Sequence, residues 1–131
     1  MNEMQPEDYI RYRLERADQT LKEVESHLNN GFWNTAINRM YYACFYAVSA
    51  LLVKNDVQVN SHSGVRQQFG QRYIKPEIID RNLGKHFTEL FEKRNRGDYN
   101  DFIDYDENEA RELFPKTVEL VEKIKNLVHQ N

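Results

Sequence analysis

Apolar residues recur along this chain at steps of three and four, the spacing that places side chains on one face of an α-helix. The first such stripe follows Pro6 and stops at Asn29-Asn30-Gly31, residues that are typical of a helix end. Its members are Ile10, Leu14, Ala17, Leu21, Val24 and Leu28. We therefore predict a long amphipathic first helix and, because the connection is short, an antiparallel second helix.

The second stripe, from about Trp33 to about Lys54, is apolar around most of the helix circumference. One face carries mostly large side chains, namely Ile37, Met40, Tyr41, Cys44, Phe45, Val48, Leu51 and Leu52. A second face carries alanines, namely Ala36, Ala43, Ala47 and Ala50. Such a helix is buried, so we expect neighbours on two sides. Arg39 lies between these faces with Tyr42 and Tyr46. Because an unpaired buried charge costs about 3 to 5 kcal/mol, we predict a carboxylate or an outside anion near Arg39.

Two shorter stripes come next. Asn60 or Ser61 can cap a third helix whose apolar residues are four apart, namely Val65, Phe69 and Tyr73. Pro76 opens a short turn or helix. A fourth helix then extends to Arg94 with the stripe Leu83, Phe87, Leu90 and Phe91.

The end of the chain contains a loop and a last helix. Gly84 is a candidate break in the fourth helix, and Gly97 is its expected end. Residues 98–105 form a predicted acidic loop whose aromatic residues fold back on the bundle: Tyr99, Phe102 and Tyr105. Asp106, with a glutamate three residues later, has the form of a helix cap. The last stripe continues through Pro115, which predicts a kinked helix over Ala110, Leu113, Thr117, Leu120, Ile124 and Leu127.

Together these stripes predict an all-α protein, an antiparallel four-helix-type bundle with one or two extra short helices. We predict a single domain over residues 1–131, with loose ends at 1–5 and 130–131. Hydrophobic residues make up 40% and charged residues 30%, a balance typical of soluble globular proteins. No apolar run approaches the roughly 18 residues of a membrane span, and the N-terminus lacks a signal-peptide pattern.

Cysteine usage narrows the classes of site. Cys44 is the single cysteine, which excludes a disulfide framework within the chain and favours a reducing, cytoplasmic location. Its place on the apolar face of the second helix favours a buried small hydrophobe over a nucleophile. There is no Cys/His spacing typical of zinc and no Gly-rich phosphate loop, so we expect neither a metal nor a cofactor.

Charge is unevenly distributed. With a net charge of −3, the chain lacks the overall positive charge that is typical of nucleic-acid-binding proteins. Residues 66–96 nevertheless contain eight basic and four acidic side chains, whereas residues 98–112 contain seven acidic and one basic. Two interpretations remain open: two solvated faces that attract each other, or a basic side that binds an anionic partner.

Three polar clusters are candidates for chemistry: Arg39 with Tyr42 and Tyr46, His62 with Arg66, and the segment that contains Arg94, Arg96, Asp98 and Tyr99. His62 lies near a helix N-terminus, which favours the neutral imidazole, so it either caps and packs or acts as a base. Asp98 pairs with Arg94 across a helix end, or supplies the carboxylate that Arg39 requires, or locks the following loop onto the bundle.

The order of three motifs resembles the HEPN domain, specifically its small stand-alone prokaryotic branch. The motifs are Arg39-Met40-Tyr41-Tyr42-Ala43-Cys44-Phe45-Tyr46-Ala47, then His62-Ser63-Gly64-Val65, then Arg94-Asn95-Arg96-Gly97-Asp98-Tyr99. The resemblance implies an antiparallel bundle that forms a homodimer. It also implies a minimal nucleotidyltransferase as partner, often in a toxin–antitoxin pair.

Many HEPN proteins are metal-independent RNases in which a His follows an Arg after a gap of roughly four to six residues. Here no His follows Arg94 before His129, and Asp98-Tyr99 occupies the corresponding position. The first interpretation is therefore a binding module without catalysis, whose arginines hold a nucleotide or RNA phosphate. Its candidate ligand-binding residues are Arg39, Tyr42, His62, Arg66, Arg94, Arg96, Asp98 and Tyr99.

Two further interpretations stay open. One is an endoribonuclease of the HEPN toxin type, which would use Arg94 with His62 or Tyr99 as catalytic residues. The other is a structural bundle whose polar clusters only satisfy one another.

Overall fold

The computed structural model describes residues 5–100 and 102–130. In this part of the chain five α-helices and one π-helical turn follow one another without a strand: α1 (Pro6–Asn29), α2 (Trp33–Lys54), α3 (His62–Phe69), the π-helical turn (Gly70–Ile74), α4 (Arg81–Tyr99) and α5 (Glu107–Val128). The prediction of an all-α bundle with short extra helical pieces is confirmed. Of the ends that we expected to be loose, residues 1–4 and 131 lie outside the described part.

Helix α2 is the centre of the bundle, since it packs against α1, α3, α4 and α5. The residues of its two predicted faces are buried except Phe45, which is partly buried, and Ile37, Ala43 and Cys44 are fully enclosed. Contrary to the expectation from its apolar runs, α2 is long and apolar enough by composition to span a membrane. However, 67% of its most apolar 18-residue window is buried against the other helices, which is also the property of a core helix in a soluble protein.

Local hydrogen bonds and backbone geometry set three of the predicted boundaries. Gly31 has φ +76°, a left-handed conformation that suits glycine, in the turn after α1. The Ser61 hydroxyl accepts a hydrogen bond from the Gly64 amide at 3.0 Å at the start of α3. The Asp106 carboxylate accepts one from the Glu109 amide at 2.9 Å at the start of α5. The predicted caps are therefore confirmed, with Ser61 rather than Asn60 in front of α3.

Helix α4 is more continuous than predicted. Gly84 does not divide it. A Cβ at this position would lie 2.9 Å from the Ile74 side chain, so the absence of a side chain at Gly84 makes room for Ile74. Gly97 does not end it, because α4 continues to Tyr99. A Cβ at Gly97 would lie 3.3 Å from the Tyr105 ring, so this glycine permits close packing instead.

The predicted loop over residues 98–105, of which Asp98 and Tyr99 belong to α4, folds back on the bundle only in part. Tyr105 is buried as expected, but Tyr99 and Phe102 are 78% and 94% exposed. The Asn34 side chain holds this segment through its backbone: it donates to the Ile103 carbonyl at 3.0 Å and accepts from the Tyr105 amide at 2.8 Å. The loop is therefore held by its backbone at Ile103 and Tyr105, while Phe102 remains exposed.

Two predictions concerned proline. Residues 75–79, which include Pro76, form a turn rather than a short helix. Helix α5 continues from Glu107 to Val128 with Pro115 inside it, so the apolar register that passes through the proline belongs to one helix.

Candidate functional site

Arg94 is the centre of a polar cluster between α2, α3 and α4. Its Nη2 donates a hydrogen bond to the Tyr42 hydroxyl at 2.7 Å, and its Nη1 donates to Asn95 Oδ1 at 2.8 Å. Its Nε lies 3.3 Å from Asp98 Oδ2, within ion-pair distance but not aligned for a hydrogen bond. Only 15% of the Arg94 side chain is exposed, so these neighbours fix the orientation of the guanidinium.

Asp98 reaches Arg94 because α4 continues through Gly97, which places the two residues one helical turn apart on the same face. The Asp98 Oδ2 also accepts a hydrogen bond from Asn38 Nδ2 at 2.9 Å. The Oδ1 of Asn38 accepts another from Arg39 Nε at 3.1 Å. Asp98 is therefore the ion-pair partner of Arg94, and its link to Arg39 through Asn38 is indirect.

The prediction that Asp98 directly neutralises Arg39 is wrong. The Arg39 Nη1 lies 3.9 Å from Glu23 Oε2, and its guanidinium carbon lies 4.7 Å from the centre of the Tyr42 ring. Since α1 packs along α2, the nearest carboxylate comes from α1 instead. Tyr46 also faces α1, with its ring 5.3 Å and 5.4 Å from the guanidinium carbons of Arg13 and Arg16.

His62 is the first residue of α3 and lies close to Arg94. Its Nδ1 is 2.7 Å from the Tyr41 hydroxyl, and its ring stacks on Phe45 with 4.4 Å between ring centres. Burial, and then the positive charges of Arg94 and Arg66, lower the pKa of His62 below its ordinary value of 6.5. His62 is therefore neutral at pH 7, and its Nε2 has no hydrogen-bond partner among the described residues.

Arg66, on α3, stacks on Phe91 of α4. The guanidinium carbon lies 3.6 Å from the centre of the ring. Within the described part of the chain, Arg66 forms no ion pair, and its Nε is buried without a hydrogen-bond acceptor. Stacking on a ring holds a guanidinium in place without neutralising it, so Arg66 keeps its charge for another ligand.

An open cleft of about 490 Å³ lies in front of these groups. Its lining residues are His62, Phe91, Arg94, Asn95, Arg96, Tyr99 and Asn100. The fold thus brings together four of the predicted site residues, of which Arg96 and Tyr99 lie on the exposed rim. The other predicted residues contact the lining without forming it, namely Tyr42, Arg66 and Asp98, whereas Arg39 lies outside the cleft.

Sequence reasoning missed three contributors. It assigned Tyr41 to the core, and Tyr41 is fully buried, yet its hydroxyl contacts His62. Burial raises the pKa of Tyr41, so this group remains a neutral phenol. A buried tyrosine usually needs a hydrogen-bond partner, which was the available signal. Asn38 and Asn95 each bind the arginine next to them in sequence, a signal too common to identify a site.

The comparison with protein families gives a match to the HEPN domain over residues 10–127. A UPF0332 protein of Thermotoga maritima is 34% identical over 128 residues, which cover 98% of this chain and 96% of that protein. A protein of Methanocaldococcus jannaschii named "putative toxin" is 33% identical over 103 residues, which cover 79% of this chain and 70% of that protein.

Two solved structures share the fold. A crystal structure of a protein from Thermus thermophilus has a TM-score of 0.76 at 17% identity and covers 89% of this chain and 96% of its own. The structure of an archaeal HEPN homologue has a TM-score of 0.72 at 17% identity and covers 96% and 99%. At this identity the likeness concerns the helical fold alone.

Proposed function

The chain belongs to the HEPN domain family, and we propose that it is a binding module whose Arg94 cleft holds the phosphate of a nucleotide or an RNA strand. It acts in the cytoplasm as a homodimer, with a minimal nucleotidyltransferase as partner in a toxin–antitoxin pair. The relatives of Methanocaldococcus jannaschii whose names contain the word toxin support the last point.

The observation that carries this proposal is the excess of guanidinium groups at one open cleft. Arg94 and Arg96 line the cleft, and Arg66 stacks on its wall. Among the described residues, Asp98 lies 3.3 Å from Arg94 and Glu92 lies 3.8 Å from Arg96, so Arg66 is the guanidinium without a carboxylate partner. The planar fork of Arg meets two phosphate oxygens at once, and such charge-assisted hydrogen bonds are about twice as strong as neutral ones.

The rim of the cleft also suits a base. The Tyr99 ring is largely exposed, and its centre lies 5.9 Å from the guanidinium carbon of Arg94. A nucleotide whose phosphate is bound at Arg94 therefore has an aromatic surface within reach of its base. Stacking on such a surface stabilises any of the bases, so this site requires no particular sequence.

Fluorescence anisotropy with labelled single-stranded RNA, without added metal, tests this function. We expect affinity that decreases as salt increases, and a loss of at least about tenfold in Arg94→Ala. Arg94→Lys should restore only part of the affinity, because an ammonium cannot bind two oxygens in one plane. Arg11→Ala, which removes an exposed arginine of α1 outside the cleft, is the matched control. Equal affinities of wild type and Arg94→Ala would refute the proposal.

The exposed aromatic side chains support the proposed assembly. Tyr99, which lines the cleft, and Phe102, three residues further along the chain, are both largely exposed, and exposed apolar side chains often mark protein–protein contacts. Light scattering should give the mass of a dimer for the wild type and a smaller mass for Phe102→Ser. The same measurement after addition of a minimal nucleotidyltransferase, the proposed partner, should show a joint complex. A wild type that is monomeric and does not bind this partner would contradict the proposed assembly, but it would not contradict the proposed binding of phosphate.

A second function, a metal-independent endoribonuclease, is favoured by the position of His62 in the cleft with Arg94. When Nδ1 of His62 donates its proton to the Tyr41 oxygen, the lone pair of Nε2 can accept the proton of an RNA 2′-hydroxyl. The 2′-oxygen then attacks phosphorus and the bond to the 5′-oxygen breaks. The products are a 2′,3′-cyclic phosphate and a 5′-hydroxyl, whose proton comes from water. Arg94 would stabilise the charge that develops on the phosphate.

Incubation of labelled RNA with the pure protein in a chelator separates the two functions. For an enzyme, His62→Ala should reduce cleavage by about 100-fold or more while RNA binding is retained. Intact RNA in the presence of a wild type that binds it would leave the binding module as the function.

A further inference from the structure

A second groove lies beside the cleft, between the π-helical turn and α4. Its volume is about 540 Å³, within the range of about 300 to 1,000 Å³ that is common for ligand sites. The floor is apolar and is formed by Phe69, Ile74 and Phe87. Arg66 lines this groove, and Phe91, on which Arg66 stacks, lines the cleft, so a single stacked pair separates the two sites.

The charges around the groove favour an anionic ligand. Three of its cations form no ion pair among the residues that the structure describes: Arg66, Lys75 and Lys85. Its two carboxylates, Glu89 and Glu92, each lie one helical turn from a cation of α4, at 4.0 Å and 3.8 Å. The acidic groups are therefore balanced within α4, and the uncompensated charge is positive.

Gly70 keeps the groove open, although the fold does not require glycine there. Its φ of −60° and ψ of −48° are those of an ordinary right-handed helix. A Cβ at Gly70 would meet no atom within 4 Å, whereas a Cβ at Gly84, on the same groove, would lie 2.9 Å from Ile74. Because glycine in a helix is less stable than alanine by about 0.5 to 1 kcal/mol, packing and stability do not account for this residue. π-Helical turns often occur at functional sites.

We propose that this groove is a base-binding subsite and that the ligand of the cleft is a single-stranded nucleic acid spanning both sites. This inference rests on the proposed function, since one phosphate is held at Arg94. The strand crosses the stacked pair of Arg66 and Phe91, and Arg66 contacts the linking phosphate. The next base lies on the apolar floor beside Gly70, where burial and stacking accept any base. Lys75 and Lys85 attract the phosphate that follows.

The length dependence of binding tests this subsite. Labelled RNA and DNA oligonucleotides of one to six nucleotides are compared by anisotropy. For the wild type we expect affinity to rise by about tenfold or more between one nucleotide and about four, and then to level off. Gly70→Leu fills the groove, and Lys85→Glu reverses one of its charges, so each should remove most of this rise. The matched controls are Gln71→Leu and Lys123→Glu, exposed positions outside the groove, which should keep it.

The outcomes separate this inference from the proposed function. If mononucleotides bind through Arg94 but the rise with length persists in both Gly70→Leu and Lys85→Glu, the subsite is refuted and the function stands. If Arg94→Ala binds every length as well as the wild type does, both are refuted. Competition by poly-glutamate as strong as that by RNA of equal charge would also refute a base-binding subsite. A rise with length for RNA but not for DNA of the same sequence identifies the ligand as RNA, and its loss in Gly70→Leu and Lys85→Glu supports the subsite.

Folding of the variants is checked by thermal melting. Gly70→Ala should be at least as stable as the wild type, because the backbone and the open space both accept a side chain. If Gly70→Leu does not fold, Lys85→Glu decides the matter, since it changes only a surface charge.

Discussion

The two flanks of helix α4 use similar residues in opposite ways. On the flank that faces α5, polar groups are paired with one another. His86 Nε2 lies 2.8 Å from Thr117 Oγ1, and the Lys93 ammonium lies 4.0 Å from Glu89 and 3.6 Å from Glu109. On this side hydrogen bonds and ion pairs are completed within the bundle.

On the flank that faces α3, guanidinium groups contact aromatic residues and few carboxylates. Arg66 stacks on Phe91, and Arg94 donates to the Tyr42 hydroxyl, with Asp98 as its one ion-pair partner in the described part of the chain. A paired charge stabilises the fold, whereas a stacked guanidinium remains positive toward solvent. Substitutions on the α5 flank should therefore change stability, and those on the α3 flank should change binding.

The largest expected effect is on the α5 flank and depends on pH. Burial, with a smaller contribution from Lys116, lowers the pKa of His86 from 6.5 to about 4. Between these values the unfolded chain binds a proton and the folded chain does not. The free energy of unfolding should therefore have its full value above pH 6.5 and should decrease by about 3 kcal/mol as the pH is lowered to 4.

Urea denaturation at a series of pH values measures this dependence. His86→Gln, which can keep a hydrogen bond to Thr117, should remove most of the decrease between pH 6.5 and 4. A variant as sensitive to acid as the wild type would show that other groups cause the loss.

On the α3 flank, Tyr42→Phe removes the oxygen that accepts the Arg94 Nη2 hydrogen bond at 2.7 Å. Because a hydrogen bond to a charged group contributes about 1.5 to 3 kcal/mol, the loss of orientation should lower RNA affinity by about tenfold. Unfolding measurements should show a smaller change, since the partly buried Arg94 can bind water instead. Tyr12→Phe, at a tyrosine of α1 that is half exposed, serves as the control and should bind normally.

Lys93→Met provides the converse test on the α5 flank. It removes both ion pairs of Lys93 while the side-chain stem still packs, so stability should fall by about 0.5 to 1 kcal/mol. RNA affinity in an anisotropy titration should stay within about twofold of the wild type. A decrease as large as that of Tyr42→Phe would abolish the distinction between the two flanks.

The smallest effect concerns Arg39 and Asp98, which are linked through Asn38 but form no direct ion pair among the described residues. In a double-mutant cycle of unfolding free energies, Arg39→Met and Asp98→Asn should couple by no more than about 0.5 kcal/mol. The cycle of Arg94→Met with Asp98→Asn should give the larger coupling, because that ion pair is direct. The reverse order would restore Asp98 as the partner of Arg39.

Much of the helical architecture was predictable from the sequence. The bounds of α2, Trp33–Lys54, coincide with those of its apolar pattern, and Asp106 caps α5 as its spacing indicates. Helical periodicity and capping involve residues within about one turn of each other, so a local pattern contains this information. Gly97 shows the limit of local reasoning. It is not a helix end, because α4 continues to Tyr99, and its missing side chain makes room for the Tyr105 ring.

The sequence by itself determined the helices, their buried faces and the types of polar residue that needed partners. Only the tertiary structure decided which partner on another helix each residue received: Glu23 for Arg39, Tyr42 for Arg94, and Tyr41 for His62. The physical reason is that contacts between helices depend on which faces meet and how far each helix extends. Those quantities result from packing the whole core, and no short segment of the sequence specifies them.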